Sequence, residues 1–276
     1  MKNTYKNILY ITIAGLIILI YRPILVWLIA SWRENPDYSH GFAVPLICGW
    51  IIWKKKGKLK QFPQSSSSLG LFIILGALLI LLAGRRMGVN FITAYSLIGL
   101  LIGISLYQWG IDATKEVLFP LLFLLFMIPV SQFLIDPVSY RLKLLSSYLS
   151  AQIVQSLGIP VYREGVILTT GRGALEVADP CSGIRSLFTF LMMGTVFAYL
   201  AQGTGFKKML LFSFTIPLVI LGNSIRIITA ILLLNYWGIS VSNTNWETAI
   251  SLIIVAMTAV GLLFIGRLMK CQISAS

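Results

Sequence analysis

Arg22 is the only charged residue between Ile8 and Ala30. An α-helix crosses the hydrocarbon core of a bilayer in about 20 residues, and this run has that length and apolarity. Similar runs follow at Leu69–Gly84, Phe91–Trp109, Val117–Ile135, Ile184–Ala201, Met209–Gly222 and Thr248–Gly266. Gly41–Trp53 is a shorter run, and Ile227–Trp237 is half a span. Inside a bilayer every backbone polar group must be satisfied within the protein, which favours helices for such runs. The expected fold class is therefore all-α: a polytopic helical membrane bundle of about eight transmembrane helices. Composition supports this. Charged residues make up 11% of the chain and hydrophobic ones 57%, against about 25% charged in a soluble domain. Too few polar side chains exist to cover a water-facing surface, which excludes a soluble enzyme, a disulfide scaffold and a disordered chain.

The charge is lopsided. Lys and Arg number 22 against 9 Asp and Glu, a formal net charge of +13. No basic soluble domain is present to hold nucleic acid. The basic residues cluster instead between spans, at Lys54–Lys60, Lys207-Lys208 and Arg267/Lys270. An inside N-terminus puts all three clusters in the cytoplasm, as the positive-inside rule asks, and leaves Arg85-Arg86 as the one violation. Lys2 and Lys6 precede the first run without a small-residue cleavage site, so that run reads as a retained span. The expected location is the cell (inner or plasma) membrane. Trp53, Trp109, Trp237 and Trp246 read as interfacial anchors. The Lys54–Lys60 run is first a topology signal, with membrane lipids of anionic type as a lesser reading.

The whole chain, 1–276, reads as one membrane domain, with 136–180 as an extracytoplasmic segment before the next span. Tyr140–Leu157 carries apolar residues at helical spacing and reads as an amphipathic helix. Val161–Leu168 and Ala174–Val177, split by Gly171-Arg172-Gly173, suggest a small hairpin.

The chemistry gathers at Asp179-Pro180-Cys181-Ser182-Gly183-Ile184-Arg185. Asp179 suits a helix N-cap and Pro180 the first helical position. Cys181 then falls where free N–H groups and the helix dipole favour a thiolate, and Arg185 lies one turn on. Asp179 and Glu176 oppose this by charge. The bland reading of Cys181 is a small packing residue. Arg226 is the second anomaly, because an Arg in an apolar region is costly unless it faces a cavity or a partner. It follows Asn223-Ser224 at the outer end of a span, so it is either a snorkelling side chain or an oxyanion stabiliser beside the thiolate. Cys48, Cys181 and Cys271 lack metal-ligand spacing, and no cofactor is implied. A transporter with Arg226 and Glu176 lining a pathway is a competing class, but it leaves the Cys181 motif unexplained.

These motifs resemble the exosortase/archaeosortase family. The resemblance rests on Tyr162-Arg163-Glu164-Gly165 with Leu175 through Leu187, on Asn223-Ser224-Ile225-Arg226-Ile227, and on Asp37-Tyr38-Ser39-His40-Gly41-Phe42. It runs over nearly the whole chain, with three motifs in order. The resemblance implies a cysteine transpeptidase or protease that acts on exported proteins. Their C-terminal, PEP-CTERM-like signal is a short motif, a membrane span and a basic tail. It also implies a catalytic Cys, which Cys181 matches, and an Arg, which Arg226 matches; the inside N-terminus puts both on the extracytoplasmic side. The family's third residue, a His before the last span, is not matched: Asn245 occupies that position, with Glu247 nearby. The only His is His40, in the first outer loop. Asn cannot act as a general base, so either His40 contributes, or the third residue is dispensable, or the chain is an inactive paralogue that binds sorting-signal proteins. Arg185, Ser182, Gly183 and Asn223 are the remaining candidates for holding substrate, through positive charge, backbone N–H groups and an amide.

Overall fold

The computed structural model describes residues 2–63, 65–177, 184–238 and 245–268. The chain packs as two compact units, Met1–Val130 and Ser131–Ser276.

The first unit opens with α1, Lys2–Glu34. A 3-10 segment, Pro36–Phe42, follows; the Asn35 side chain accepts a hydrogen bond from the Asp37 N–H at 2.9 Å, and Pro36 sits where its missing N–H costs nothing. Next come α2 (Ala43–Lys54), the single turn α3 (Lys56–Leu59), α4 (Ser68–Met87) and α5 (Asn90–Phe123). α4 packs closely along the first part of α5. Gly70 and Gly103 face each other there, and a Cβ on Gly103 would sit 3.1 Å from the Gly70 carbonyl oxygen. Small residues at such contacts are how helices associate in lipid, where burial of apolar surface offers no advantage.

α5 folds back on itself at Gly110. That residue has φ 77° and ψ −176°, outside any helix. Tyr21 shares a hydrogen bond with Ser96, and Trp32 donates to the Met127 carbonyl. Tyr21 and Trp32 are about 16 Å apart along α1, whereas Ser96 and Met127 would be about 46 Å apart on one straight helix. The chain must therefore reverse between them. The arms are residues 90–109 and 111–123, the second continuing into a 3-10 turn, Leu124–Met127. The second arm runs beside α2, where Cys48 Sγ donates to the Pro120 carbonyl at 3.0 Å and Lys55 pairs with Glu116 at 3.0 Å. The expected run Val117–Ile135 is thus not one helix. It breaks after Met127, and a new helix starts at Gln132.

The second unit begins with that helix, α6, Gln132–Ser156. The expected hairpin proves to be a three-stranded antiparallel meander: β1 (Val161–Glu164), β2 (Ile167–Thr170) and β3 (Gly173–Glu176), in that order. The stretch expected to be one strand, Val161–Leu168, bends at Gly165, whose φ of 61° opens a two-residue turn. Then follow α7 (Ile184–Leu200), α8 (Gly205–Ser213), α9 (Thr215–Trp237) and α10 (Asn245–Leu268). The amphipathic helix expected at Tyr140–Leu157 lies within α6. Its buried side, Ala151 and Val154, joins Val161, Leu168 and Val177 of the meander and Ile227 and Ile231 of α9 in one cluster.

Four helical stretches among the described residues are long and apolar enough to cross a membrane: Ile11–Glu34, Ser68–Met87, Asn90–Met127 and Gly205–Trp237. Leu187–Leu200 and Ile253–Leu268 are apolar but shorter. The protein is a multi-pass, helical membrane protein with one small sheet among the described residues.

Candidate functional site

Arg226 lies well inside α9, not at its end as the apolar runs suggested. The helix continues through it to Trp237, closed by Gly238 at φ 68°. It also lies on the core-facing side. Val219, Gly222, Asn223, Arg226, Ala230 and Leu234 are buried at helical spacing, and Arg226 is only 5% exposed. Its guanidinium is covered by protein rather than reaching outward along the helix. A cation held that way inside an apolar helix is costly and marks a polar pathway or site.

Its surroundings are polar too. Asn223 is 4% exposed, and neither its amide oxygen nor its amide nitrogen has a hydrogen-bond partner among the described residues. The Ser224 hydroxyl is likewise buried without one. On the facing helix α6, Ser150 is fully buried, and its hydroxyl donates to the Ser224 carbonyl at 3.2 Å. Ser146 and Ser147, one turn earlier, are buried as well. Ser147 donates to the Gly165 carbonyl at 3.0 Å and so fastens the meander to α6. From the sequence, Ser146 and Ser147 are only polar residues between the apolar positions of Tyr140–Leu157, although together with the buried Ser139 the spacing 139, 146 and 150 traces one face of a helix.

Three packing facts locate this polar stretch relative to α7 and α10. Phe190 of α7 packs with Val219, and a Cβ on Gly222 would lie 3.9 Å from the Phe190 ring. One turn along α7, a Cβ on Gly194 would strike Thr215. The two helices therefore run antiparallel, and one further turn of the same register brings the start of α7 level with Arg226. On the other side, Ile254 of α10 meets Gly222, and Gly261 meets Leu218. Continuing that register puts the first residues of α10 a little beyond Arg226. Finally, Val177 is buried in one cluster with Ile227, the neighbour of Arg226. The meander is also tied to the C-terminal end of α9, where Arg172 donates to the Tyr236 carbonyl at 2.8 Å.

Cys181, Ser182 and Gly183 lie outside the described residues, as do Asp179 and Pro180. Arg185 stands in the first turn of α7 and Asn245 opens α10, while the side chains of both are outside the description. Among the described residues, no three His, Cys, Asp or Glu side chains gather as metal ligands.

His40 belongs to the first unit and has structural work there. Its Nε2 lies 3.2 Å from the Phe126 carbonyl. Tyr38 donates its hydroxyl to the Val130 carbonyl at 3.1 Å, and Trp32 its indole N–H to the Met127 carbonyl at 2.7 Å. These three rings serve the carbonyls exposed where the helix breaks after the second arm of α5, groups that would otherwise lack partners. Burial pushes the His40 pKa below its ordinary value, outweighing the nearby Phe126 and Asp37 carbonyls and the Asp37 carboxylate, which act the other way.

Compared with known protein families, residues 32–264 match the model described as transmembrane exosortase (Exosortase_EpsH). No curated protein matches the chain, and no solved structure does.

Proposed function

Because the chain belongs to the transmembrane exosortase family, we propose that it is a membrane-embedded cysteine transpeptidase acting on C-terminal sorting signals of exported proteins. The observation that carries this reading is the pairing of Arg226 with Asn223 on the buried side of α9. A cation and an amide with an open donor and acceptor suit a peptide group: the amide complements a peptide N–H and C=O, and the cation complements the oxyanion formed from the carbonyl. Support for Cys181 as nucleophile comes from connectivity. Val177 is buried in the same cluster as Ile227, the neighbour of Arg226, and the four residues from Val177 to Cys181 span at most about 14 Å when extended. The antiparallel register of α7 with α9 brings the start of α7 level with Arg226.

In this mechanism the Cys181 thiolate attacks a substrate carbonyl carbon. The carbonyl electrons move onto oxygen, where Arg226 and the Ser182 and Gly183 N–H groups stabilise the charge. The C–N bond then breaks, the amine leaves with a proton from a general acid, and a thioester remains. An external nucleophile attacks the thioester, transfers its proton to base and releases the thiolate. Arg185 adds positive charge near the thiolate. His40 and Asn245 stay as candidates for the third role, although Asn cannot supply or take the proton.

The eight-pass topology belongs to the same proposal. It counts α1, α2, α4, both arms of α5, α7, α9 and α10, with the active site on the extracytoplasmic side of the plasma membrane. A second reading has specific support: a paralogue that binds sorting-signal proteins without cutting them. Asn245 stands where the family places its His, and the Nε2 of His40 lies against the Phe126 carbonyl.

The test is co-expression with an exported protein ending in a short motif, an apolar span and a basic tail. The wild type is expected to shorten it, and Cys181→Ala and Cys181→Ser to leave it intact at equal enzyme levels. Shortening by Cys181→Ala overturns the nucleophile assignment. An intact substrate that co-purifies with the wild type supports the second reading.

A further inference from the structure

A cavity of about 390 Å³ lies in the first unit, lined by Lys56, Leu59, Lys60, Phe62, Pro63, Trp109 and Ala113. We propose that it binds the headgroup and glycerol region of one anionic phospholipid. This does not rest on the sorting-enzyme reading.

The charge at the cavity is selectively uncompensated. Glu116 takes Lys55 at 3.0 Å and Lys58 at 2.5 Å, and Asp112 takes Lys115 at 3.1 Å. Among the described residues no carboxylate pairs with Lys56 or Lys60, the two lysines that line the cavity. They stand four residues apart around the single turn α3, so both ammonium groups project to one side, where like charges repel unless an anion sits between them. Lys56 also lies over the Trp53 ring, 4.6 Å from its centroid. The ring face attracts the ammonium itself without neutralising it, so its charge stays available to an anion at the rim.

The rest of the lining is apolar: Leu59, Phe62, Pro63, Ala113 and the Trp109 indole. A free phosphate would satisfy the lysines and leave this wall in contact with water. A phospholipid satisfies both, with its phosphodiester at Lys56 and Lys60 and its glycerol and first acyl carbons along Leu59, Phe62 and Trp109. Trp109 ends the first arm of α5, beside the charged Asp112, Lys115 and Glu116, so the cavity opens at the polar boundary where headgroups lie. The charge sign also excludes the basic tail of a substrate as occupant.

The experiment uses the full chain in neutral detergent, titrated separately with phosphatidylglycerol, phosphatidylcholine and inorganic phosphate, with binding read by native mass spectrometry and thermal shift. Phosphatidylglycerol is expected to bind and raise the melting temperature, and the other two are not. Lys56→Gln/Lys60→Gln should weaken phosphatidylglycerol binding about 30-fold, from roughly 1 kcal/mol per lysine near the surface. Lys54→Gln/Lys115→Gln removes the same charge outside the cavity and should retain binding. Equal binding of phosphatidylcholine, a phosphate response equal to that of the lipid, or equal loss in both double variants each overturns the proposal. A folding defect in Lys56→Gln/Lys60→Gln is checked by its melting temperature without lipid, which should match the wild type.

Discussion

Trp32 donates its indole N–H to the backbone carbonyl of Met127, 2.7 Å away. The bond joins the end of α1 to the place where the helical run from α5 stops. Tyr38 and His40 repeat the contact on Val130 and Phe126. A helix that ends inside a membrane protein leaves carbonyls that water cannot reach, and here three ring donors, one from the end of α1 and two from the 3-10 segment after it, meet them.

His40 therefore makes stability depend on pH in a definite direction. Its folded-state pKa is depressed by burial. The stabilisation from neutral His40 is full above the unfolded value of about 6.5 and is lost as pH falls from there through the folded value. Thermal melts of the full chain should fall in this window, and His40→Gln, which keeps an N–H donor, should flatten that slope. An unchanged slope removes His40 as the titrating group. The same variant in the processing assay separates strut from catalyst: a strut predicts activity near wild type above pH 7.

Asn223 should separate stability from function. Its amide has no hydrogen-bond partner among the described residues, and a buried amide left so costs about 1–3 kcal/mol, a cost that bound substrate would remove. Asn223→Ala is expected to keep or raise the melting temperature while reducing processing. A clear fall in melting temperature with normal processing would show that the amide serves the fold alone.

Arg226 is expected to tolerate no substitution in catalysis. Arg226→Lys keeps the charge but loses the planar fork, and Arg226→Gln loses both. Loss of an oxyanion donor typically lowers turnover about 100- to 1,000-fold. Turnover on a tailed substrate should fall on that scale for Arg226→Gln and less far for Arg226→Lys. Equal, near-wild-type turnover in both would remove Arg226 from the reaction.

Gly110 should be irreplaceable for folding. Its φ of 77° is a conformation that L side chains rarely adopt, and a Cβ there would approach the Ser65 carbonyl oxygen to 2.6 Å. Gly110→Ala should destabilise the first unit by roughly 1–3 kcal/mol, seen as a lower melting temperature in detergent. An unshifted melt would mean that the reversal does not depend on glycine.

Much of the helical layout was legible because a membrane span needs a long apolar run, and α1, α4, the first arm of α5 and α10 follow such runs closely. The reversal at Gly110 was readable only as a boundary between two runs: Trp109-Gly110-Ile111 carries no proline and no polar turn, so one residue's backbone freedom makes the fold. The bend at Gly165 was hidden for a similar reason, since a lone glycine between Glu164 and Val166 is a weak turn signal. Arg226 was visible as an anomaly, but its depth was not. Asn223, Ser224 and Arg226 lower local apolarity and split one long helix into two apparent runs. Hydropathy records what a side chain prefers, whereas the depth of Arg226 follows from its place on the buried face of α9. The serines of α6 looked like the polar face of a surface helix and proved to be the face turned inward.

The reversal at Gly110 also bears on how the chain is made. Its two arms have no loop between them that could be threaded across the bilayer separately. In the proposed eight-pass topology they are expected to enter together, as a helical hairpin, with Asp112, Lys115 and Glu116 at its blunt end. The charges beside the glycine would then act as a stop during synthesis as well as a boundary in the finished protein.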